Sequence, residues 1–188
     1  MRGMEILPGL GTPLVQIGES REVVECKLGT PVHPGRLDRA VYQTSPMLVL
    51  SYTDIDTVEI VEIAYSGDGG EEAWFDGVQL TYRFLDDVVA DLAARGHRGE
   101  QIDIGYRFEP GFALFSVGSR SPRDLDPAAD EDDPRRICEG VLVAPFDYFD
   151  APDEEEVEQY IRDRIEAAGL SGPEADELRD FLKQSFGG

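Results

Sequence analysis

Residues 18–31, Gly-Glu-Ser-Arg-Glu-Val-Val-Glu-Cys-Lys-Leu-Gly-Thr-Pro, constrain the fold more than any other stretch. Ser20 is placed to accept a hydrogen bond from a free N–H of a first helical turn, Glu22 adds negative charge there, and Val24 and Leu28 lie four apart on one face. Gly29 can take the left-handed conformation after the last turn, and Pro31 blocks resumption. A helix of about two turns does not stand alone in water, because nucleation is costly and few hydrogen bonds compensate it. It has to lie on something, and the strands that follow are the candidates.

Those strands are legible from composition and turn residues. Segments 40–43, 47–52 and 57–65 are rich in Val, Ile, Leu and Tyr and are separated by Thr44-Ser45-Pro46 and Asp54-Ile55-Asp56, which reads as an antiparallel meander. In the third segment Val58 and Ile60 occupy one alternation phase while Val61, Ile63 and Tyr65 occupy the other, so it carries a bulge or is covered on both faces. A short strand or an extended lead-in is expected over 14–17 and a strand through Trp74 and Phe75 within 71–79. From 82 to 95 the set Leu85, Val88, Val89, Leu92 and Ala93 follows a helical face, with Gly96 as the stop. Segments 101–108, 112–117 and 137–144 again read as strands, broken at Glu109-Pro110-Gly111, and 119–136 reads as a long surface loop.

The expected fold class is therefore α+β: two similar helix-plus-three-strand antiparallel units, with helices on one face of the strands. The order helix, strand, strand, strand occurs twice, which points to pseudo-repeats at 14–70 and 71–150 within one α+β domain over 1–150. Residues 151–188 differ in kind. Val157, Tyr160, Ile161 and Ile165 are in helical phase, and a second helix follows Ser171 and Pro173, giving a C-terminal helical hairpin packed on the domain. It is too short to hold a core by itself.

The charge balance bounds function more than fold. The 188 residues include 39 acids against 17 Lys and Arg, a formal net charge of -22. Lys27 and Lys183 are the only lysines. Dispersed acids with few lysines fit adaptation to high salt, where the Debye length falls to about 3 Å at 1 M and self-repulsion is screened. Recognition of a basic partner is the alternative explanation, and coding bias toward arginine a further contributor. A basic stripe for phosphate contacts is missing, so no nucleic acid is expected as partner. No apolar run is long enough to span a membrane and no signal peptide is evident at the start, so the expected location is cytoplasmic.

The pattern Gly18, Ser20, Val23 or Val24, Leu28-Gly29 and Pro31, followed by three antiparallel strands, resembles the small domain shared by the outer-membrane assembly lipoprotein BamE and the beta-lactamase inhibitor proteins. The resemblance covers residues 14–65. In the inhibitor proteins two helix-plus-sheet units occur in tandem and form a protein-binding surface, and the duplicated order here is similar. The chain departs from the family in lacking a lipoprotein signal, in placing Cys26 inside the helix, and in having no clean Gly-x-Ser and Leu-Gly-x-Pro pair in its second half. No binding residue is transferred by the resemblance.

A search for chemistry yields little. His33 and His97 lie in expected loops beside Pro or Gly, which favours turn roles over catalysis or metal binding. Cys26 and Cys138 are far apart and read as partly buried thiols. No serine-hydrolase elbow, phosphate loop or zinc-protease motif occurs, and Gly67-Asp68-Gly69-Gly70 lacks the Lys-Ser or Lys-Thr of a phosphate cradle. Asp124, Asp126, Asp130 and Asp132 do not have the spacing of a calcium loop and read as a solvated acidic loop, while Asp54 and Asp56 read as turn residues. Phe146, Tyr148 and Phe149, with Asp147 and Asp150, are either buried under the C-terminal helices or an anchor for a partner. The sequence thus assigns no catalytic, cofactor or metal residues, and the expectation is a non-enzymatic binding protein of unknown partner and unknown oligomeric state. The alternative is a metal-dependent hydrolase using clustered carboxylates.

Overall fold

A computed structural model describes residues 3–67, 70–145 and 148, and beyond these 158–159, 161–162, 165, 169–172, 175–176 and 178–180. In chain order the elements are β1 (Gly3–Glu5), α1 (Arg21–Leu28), β2 (Arg39–Tyr42), β3 (Leu48–Tyr52), β4 (Val58–Ala64), β5 (Glu72–Phe75), β6 (Val78–Gln79), α2 (Leu85–Ala94), β7 (Gly99–Ile102), β8 (Gly105–Phe108), β9 (Phe112–Phe115) and β10 (Gly140–Val143), with a 3-10 turn at Pro122–Asp124. The α+β class is as the sequence indicates. The chain divides into two compact units, Met1–Phe149 and Asp150–Gly188. The helical hairpin expected over 151–188 falls largely on residues outside those described, and none is evident among the described ones.

Seven strands form one antiparallel sheet in the order β2-β3-β4-β10-β9-β8-β7. The two meanders are joined at its centre, where β4 and β10 pair through Ile63 with Val141 and Val61 with Val143. Alternation places Tyr42, Leu48, Leu50, Val61, Ile63, Val141, Val143, Leu114, Phe112 and Phe108 on one face, all of them buried. The same core receives Val24 from α1 and Leu85, Val88 and Leu92 from α2. Fully burying each of these aliphatic side chains stabilises by about 1.5–3 kcal/mol before entropy is counted. The conflict of phases in β4 resolves as a bulge: Ser51 faces Ile60 and Tyr52 faces Val58, so the extra residue Glu59 returns Val58 to the core face.

The start of α1 is as its sequence indicates. Ser20 Oγ accepts from the Val23 N–H at 3.4 Å, and Gly29 sits at φ +84° with its N–H donating to the Glu25 carbonyl. The start of α2 is different, since Phe84 has no capping side chain. A backbone donor is satisfied across the fold instead, by Leu85 N–H to the Arg136 carbonyl at 2.8 Å.

Two expectations need correction. Segment 101–108 is a hairpin, β7 and β8, because the chain reverses at Asp103-Ile104 and pairs Ile102 with Gly105. The expected strand through Trp74 and Phe75 stands as β5, and it continues as a hairpin into β6, turning at Asp76 (φ +48°) and Gly77 (φ +72°), the two left-handed residues of a type I′ turn. Of the two alternatives for 14–17 the short strand is not formed; the segment is a lead-in with an isolated bridge between Gly11 and Gln16. The sequence reading also missed β1, which pairs parallel to β5 and makes a second, three-stranded sheet with β6. Met4, Ala73 and Val78 of that sheet belong to the same core.

Candidate functional site

Where β4 ends and α2 begins, the chain is pinned to the strand leading into β10. Tyr82 N–H donates to the Cys138 carbonyl at 2.9 Å, Cys138 N–H to the Arg83 carbonyl at 2.8 Å, and Tyr65 N–H to the Glu139 carbonyl at 3.1 Å. Two buried carboxylates then hold the neighbouring loops. Glu139, 4 % exposed, accepts from the N–H groups of Val117 and Arg120, each at 2.9 Å, and from Ser119 Oγ at 3.1 Å. Glu72, 7 % exposed, accepts from Gly67 N–H at 2.7 Å, from Ser66 N–H at 3.1 Å, and from Thr81 Oγ1 at 2.5 Å. A buried carboxylate is tolerable only when its oxygens are satisfied, and bonds from backbone N–H to an ionised acceptor are among the stronger ones. Loops with no regular structure are thereby fixed. Between the two glutamates, burial pushes the Cys138 thiol up to about 12, with both carboxylates adding to the shift. At neutral pH it is an unreactive core thiol.

What these clamps hold in place is an aromatic and guanidinium cluster. The rings of Tyr65 and Tyr82 stack at 5.9 Å with an interplanar angle of 14°. Arg120 Nε donates to Tyr65 Oη at 2.5 Å, and its Cζ lies 5.0 Å from that ring. The hydrogen bond to Tyr65 is the main cause that raises the Arg120 guanidinium above its ordinary value. Tyr82 Oη donates to the Asp124 carbonyl at 3.4 Å, and the Asp124 carboxylate lies 3.9 Å from Arg120. Beside the cluster Val117 is 66 % exposed. Tyr82 adopts φ +53°, a conformation that bulky L-residues enter at a cost and hold only when the surroundings over-determine it. This arrangement can recognise a surface by stacking and hydrogen bonding. It holds no nucleophile with a base beside it.

The residues weighed from sequence fall elsewhere. His33 is exposed. His97 Nε2 lies 3.1 Å from Asp76 Oδ2, its ring packs on Phe75 at 4.8 Å, and Arg95 is 3.9 Å from the same carboxylate. That imidazole–carboxylate pair was invisible without the turn at Asp76-Gly77, and no hydroxyl or thiol hydrogen-bonds to the imidazole among the described residues. The acidic loop is tied together from within. Arg135 bridges Asp126 at 2.9 Å and Asp133 at 2.6 Å, and the Arg135 hydrogen bonds hold both carboxyls below the usual range. Asp124 accepts from Ser121 N–H in a capping box. Asp124, Asp126, Asp130 and Asp132 do not converge, and among the described residues no group of three or more His, Cys, Asp or Glu is arranged to hold a metal. Asp56, at φ +63°, bonds Arg21, so it is a turn residue with a structural partner. Cys26 is exposed and Cys138 buried, and the two are unpaired. Phe146, Asp147, Phe149 and Asp150 lie outside the described residues, as do Asp68 and Gly69, while Tyr148 is half exposed.

A cleft of about 590 Å³ is lined by Trp74, Gln79, Arg83, Asp91 and Arg95. Arg83 is occupied by Asp91 at 2.8 Å and by the Gln79 carbonyl at 3.3 Å, which leaves the cleft little unspent charge. Among the described residues no helix is long and apolar enough to cross a membrane. No family model, no curated protein and no solved structure matches the chain.

Proposed function

We propose that the chain is a non-enzymatic protein-binding module built from two similar helix-plus-meander units, 14–70 and 71–150, with 151–188 as an appended helical segment. Four backbone bonds recur in both halves. Gly18 N–H to Val58 O corresponds to Tyr82 N–H to Cys138 O, and Val58 N–H to Glu19 O corresponds to Cys138 N–H to Arg83 O. Arg21 N–H to Asp56 O matches Leu85 N–H to Arg136 O, and Tyr52 N–H to Asp38 O matches Ser116 N–H to Ile104 O. Their recurrence supports a duplicated unit of the kind that the resemblance to the BamE and beta-lactamase inhibitor protein domain implies. The halves differ in strand number, since four strands, β7 to β10, follow α2 where three, β2 to β4, follow α1, and in the longer, acid-rich loop 117–136 of the second.

The observation that carries the reading is Tyr82. In the alignment of the two halves it stands where the first half has Gly18, and both residues are left-handed, at φ +53° and +89°. A tyrosine kept in a glycine conformation and stacked on a second tyrosine, with the adjoining residues Ser66, Thr81 and Arg120 bonded to two buried glutamates, is a pre-organised anchor of the Tyr and Arg type that dominates protein interfaces. The acidic loop around it favours a partner with basic residues at its rim.

Capture from an extract of the source cells at their own salt tests this, with the wild-type chain and the pair Tyr65→Ala plus Arg120→Ala as baits. The expected result is a partner retained in stoichiometric amount by the wild type and at least tenfold less by the variant, with closely similar melting temperatures. Equal retention by both baits refutes the cluster as the anchor. Metal-dependent turnover on a substrate panel, abolished by changing the acidic loop, overturns the binding reading in favour of a hydrolase.

A further inference from the structure

The small sheet carries an indole on the face turned away from the core. Alternation along β5 and β6 sends Ala73 and Val78 inward, where both are buried, and puts the directly paired Trp74 and Gln79 on the opposite face. The end of α2 with its C-cap presents Asp91, Ala94 and Arg95, which share one helix face. These two elements line the cleft of about 590 Å³, a volume in the range of small-molecule sites. Trp74 is the only tryptophan of the chain. Strand β1 places its ring: a Cβ on Gly3 would collide with Cδ1 and Nε1, so glycine there lets that edge lie on the strand. Nε1 is buried and has no hydrogen-bond partner among the described residues, a cost that a phenyl ring would avoid.

The polar groups of the cleft are paired off save one. Arg83 and Asp91 neutralise each other, and Gln79 Nε2 donates to the Thr81 carbonyl at 2.9 Å. The Arg95 guanidinium finds no hydrogen-bond acceptor among the described residues. Its nearest carboxylate, Asp76, lies 3.9 Å away and is already engaged by His97 at 3.1 Å. The guanidinium rests against the turn, where a Cβ on Gly77 would lie 3.6 Å from both terminal nitrogens. An unspent fork of donors beside an indole and the Ala94 methyl suits a flat apolar body that ends in a carboxylate. The neighbouring carboxylates of Asp76 and Asp91 set the charge: one negative charge is matched by Arg95, and a second meets repulsion.

We infer that the cleft between the β5–β6 hairpin and the end of α2 binds a small aromatic monocarboxylate, its ring against Trp74 and Ala94 and its carboxylate on the fork of Arg95. The site is separate from the Tyr65–Tyr82–Arg120 cluster and stands whether or not that cluster binds a protein. Phosphate esters, with close to two charges at neutral pH, are selected against by the same carboxylates.

A single tryptophan gives a single indole N–H resonance, so a proton–nitrogen correlation spectrum of the full chain reads the cleft directly. Naphthylacetate is the probe, with naphthylethanol as its neutral counterpart and naphthalenedicarboxylate as a dianion. The expected result is a saturable shift of the indole resonance with naphthylacetate, at a dissociation constant on the order of 1 mM or tighter. The alcohol and the dianion should each bind at least tenfold more weakly. Arg95→Gln should weaken naphthylacetate at least tenfold, while Arg36→Gln, exposed on the loop before β2, leaves it unchanged. Nuclear Overhauser contacts should join the naphthyl protons to the Trp74 ring and the Ala94 methyl. Absence of a saturable shift, equal binding of the alcohol, tighter binding of the dianion, or full affinity in Arg95→Gln each overturns the proposal. If Arg95→Gln lowers the melting temperature, the Overhauser contacts in the wild type decide: their presence supports the site and their absence overturns it. Partner capture by the tyrosine cluster should be the same with Arg95→Gln, so the two sites fail separately.

Discussion

Replacing Gly18 with alanine measures the strain that the tyrosine cluster is held to store. Gly18 adopts φ +89°, and a Cβ built on it meets nothing within 4 Å. No steric contact therefore contributes, and the cost is purely that of a left-handed backbone for an L-residue, on the order of 1–2 kcal/mol. Loss of glycine freedom in the unfolded chain offsets about 0.4–1 kcal/mol of it. The net expectation for Gly18→Ala is about 1 kcal/mol of destabilisation, seen in urea as a lower midpoint at unchanged slope and in a melt as a fall of about 2–4 °C. The corresponding change at the other half is Tyr82→Gly. It removes a ring stack of about 0.5–1.5 kcal/mol and a long hydrogen bond to the Asp124 carbonyl, but it releases the same backbone strain. Stability should change by no more than about 1 kcal/mol, while partner capture is lost. If Gly18→Ala instead stabilises by about 0.4–1 kcal/mol, the left-handed position carries no strain and Tyr82 stores none.

The two thiols should separate by reactivity. In the native protein a thiol reagent at pH 8 titrates Cys26 and leaves Cys138 untouched until denaturant is added. Because burial raises Cys138 from 9.0 to about 12, its contribution to stability is complete below pH 9 and is lost progressively as the pH climbs toward 12, the unfolded chain releasing the proton first. Glu139→Gln turns one acceptor oxygen into a donor facing the N–H of Val117 or of Arg120, and should cost about 2–3 kcal/mol while speeding amide exchange at both. Thermal melts from low to multimolar KCl should show rising stability, given a formal net charge of -22, and a flat profile refutes the high-salt reading. Arg21→Lys keeps the charge but cannot serve Asp56, the Leu37 carbonyl and the Tyr52 ring together, so a loss of about 1–2 kcal/mol by urea denaturation is expected.

How far these features were legible depended on the range of the interactions that make them. The cap and stop of α1, the phase conflict in β4 and the apolar face of α2 are encoded within a few residues, and each stands in the fold where the sequence puts it. Asp76-Gly77 between Trp74-Phe75 and Val78-Gln79 is a local hairpin marker too, and attention to that dipeptide would have found β6. Strand β1 was not available from local pattern. It is three residues long and exists because Gly3, Met4 and Glu5 pair with Glu72, Ala73 and Trp74 far along the chain. The candidate site is non-local in the same way. Tyr65, Tyr82, Arg120 and Glu139 come from four separate segments, and nothing in the surroundings of Tyr82 announces a left-handed tyrosine until the two halves are superposed bond by bond.

The scarcity of lysine can then be read through structure as well as through salt. Three arginines stand over aromatic rings and also bond or pair through the guanidinium: Arg21 over Tyr52, Arg120 over Tyr65 and Arg135 over Phe84, with Cζ to centroid distances of 3.8, 5.0 and 4.1 Å. Each uses its planar fork to join segments that no strand connects, as Arg135 does for Asp126 and Asp133. A lysine ammonium is a compact, strongly hydrated charge that cannot stack as a plane and bond in several directions at once. In a chain with 39 acids and 17 Lys and Arg, these three positions each engage more than one partner. Arginine meets that demand, and lysine does not. High salt would screen the exposed pairs but leave ring stacking and short bonds largely intact. The same residue choice thus serves the acidic surface, which needs few cations, and the loops that Arg21, Arg120 and Arg135 hold through two or three partners each.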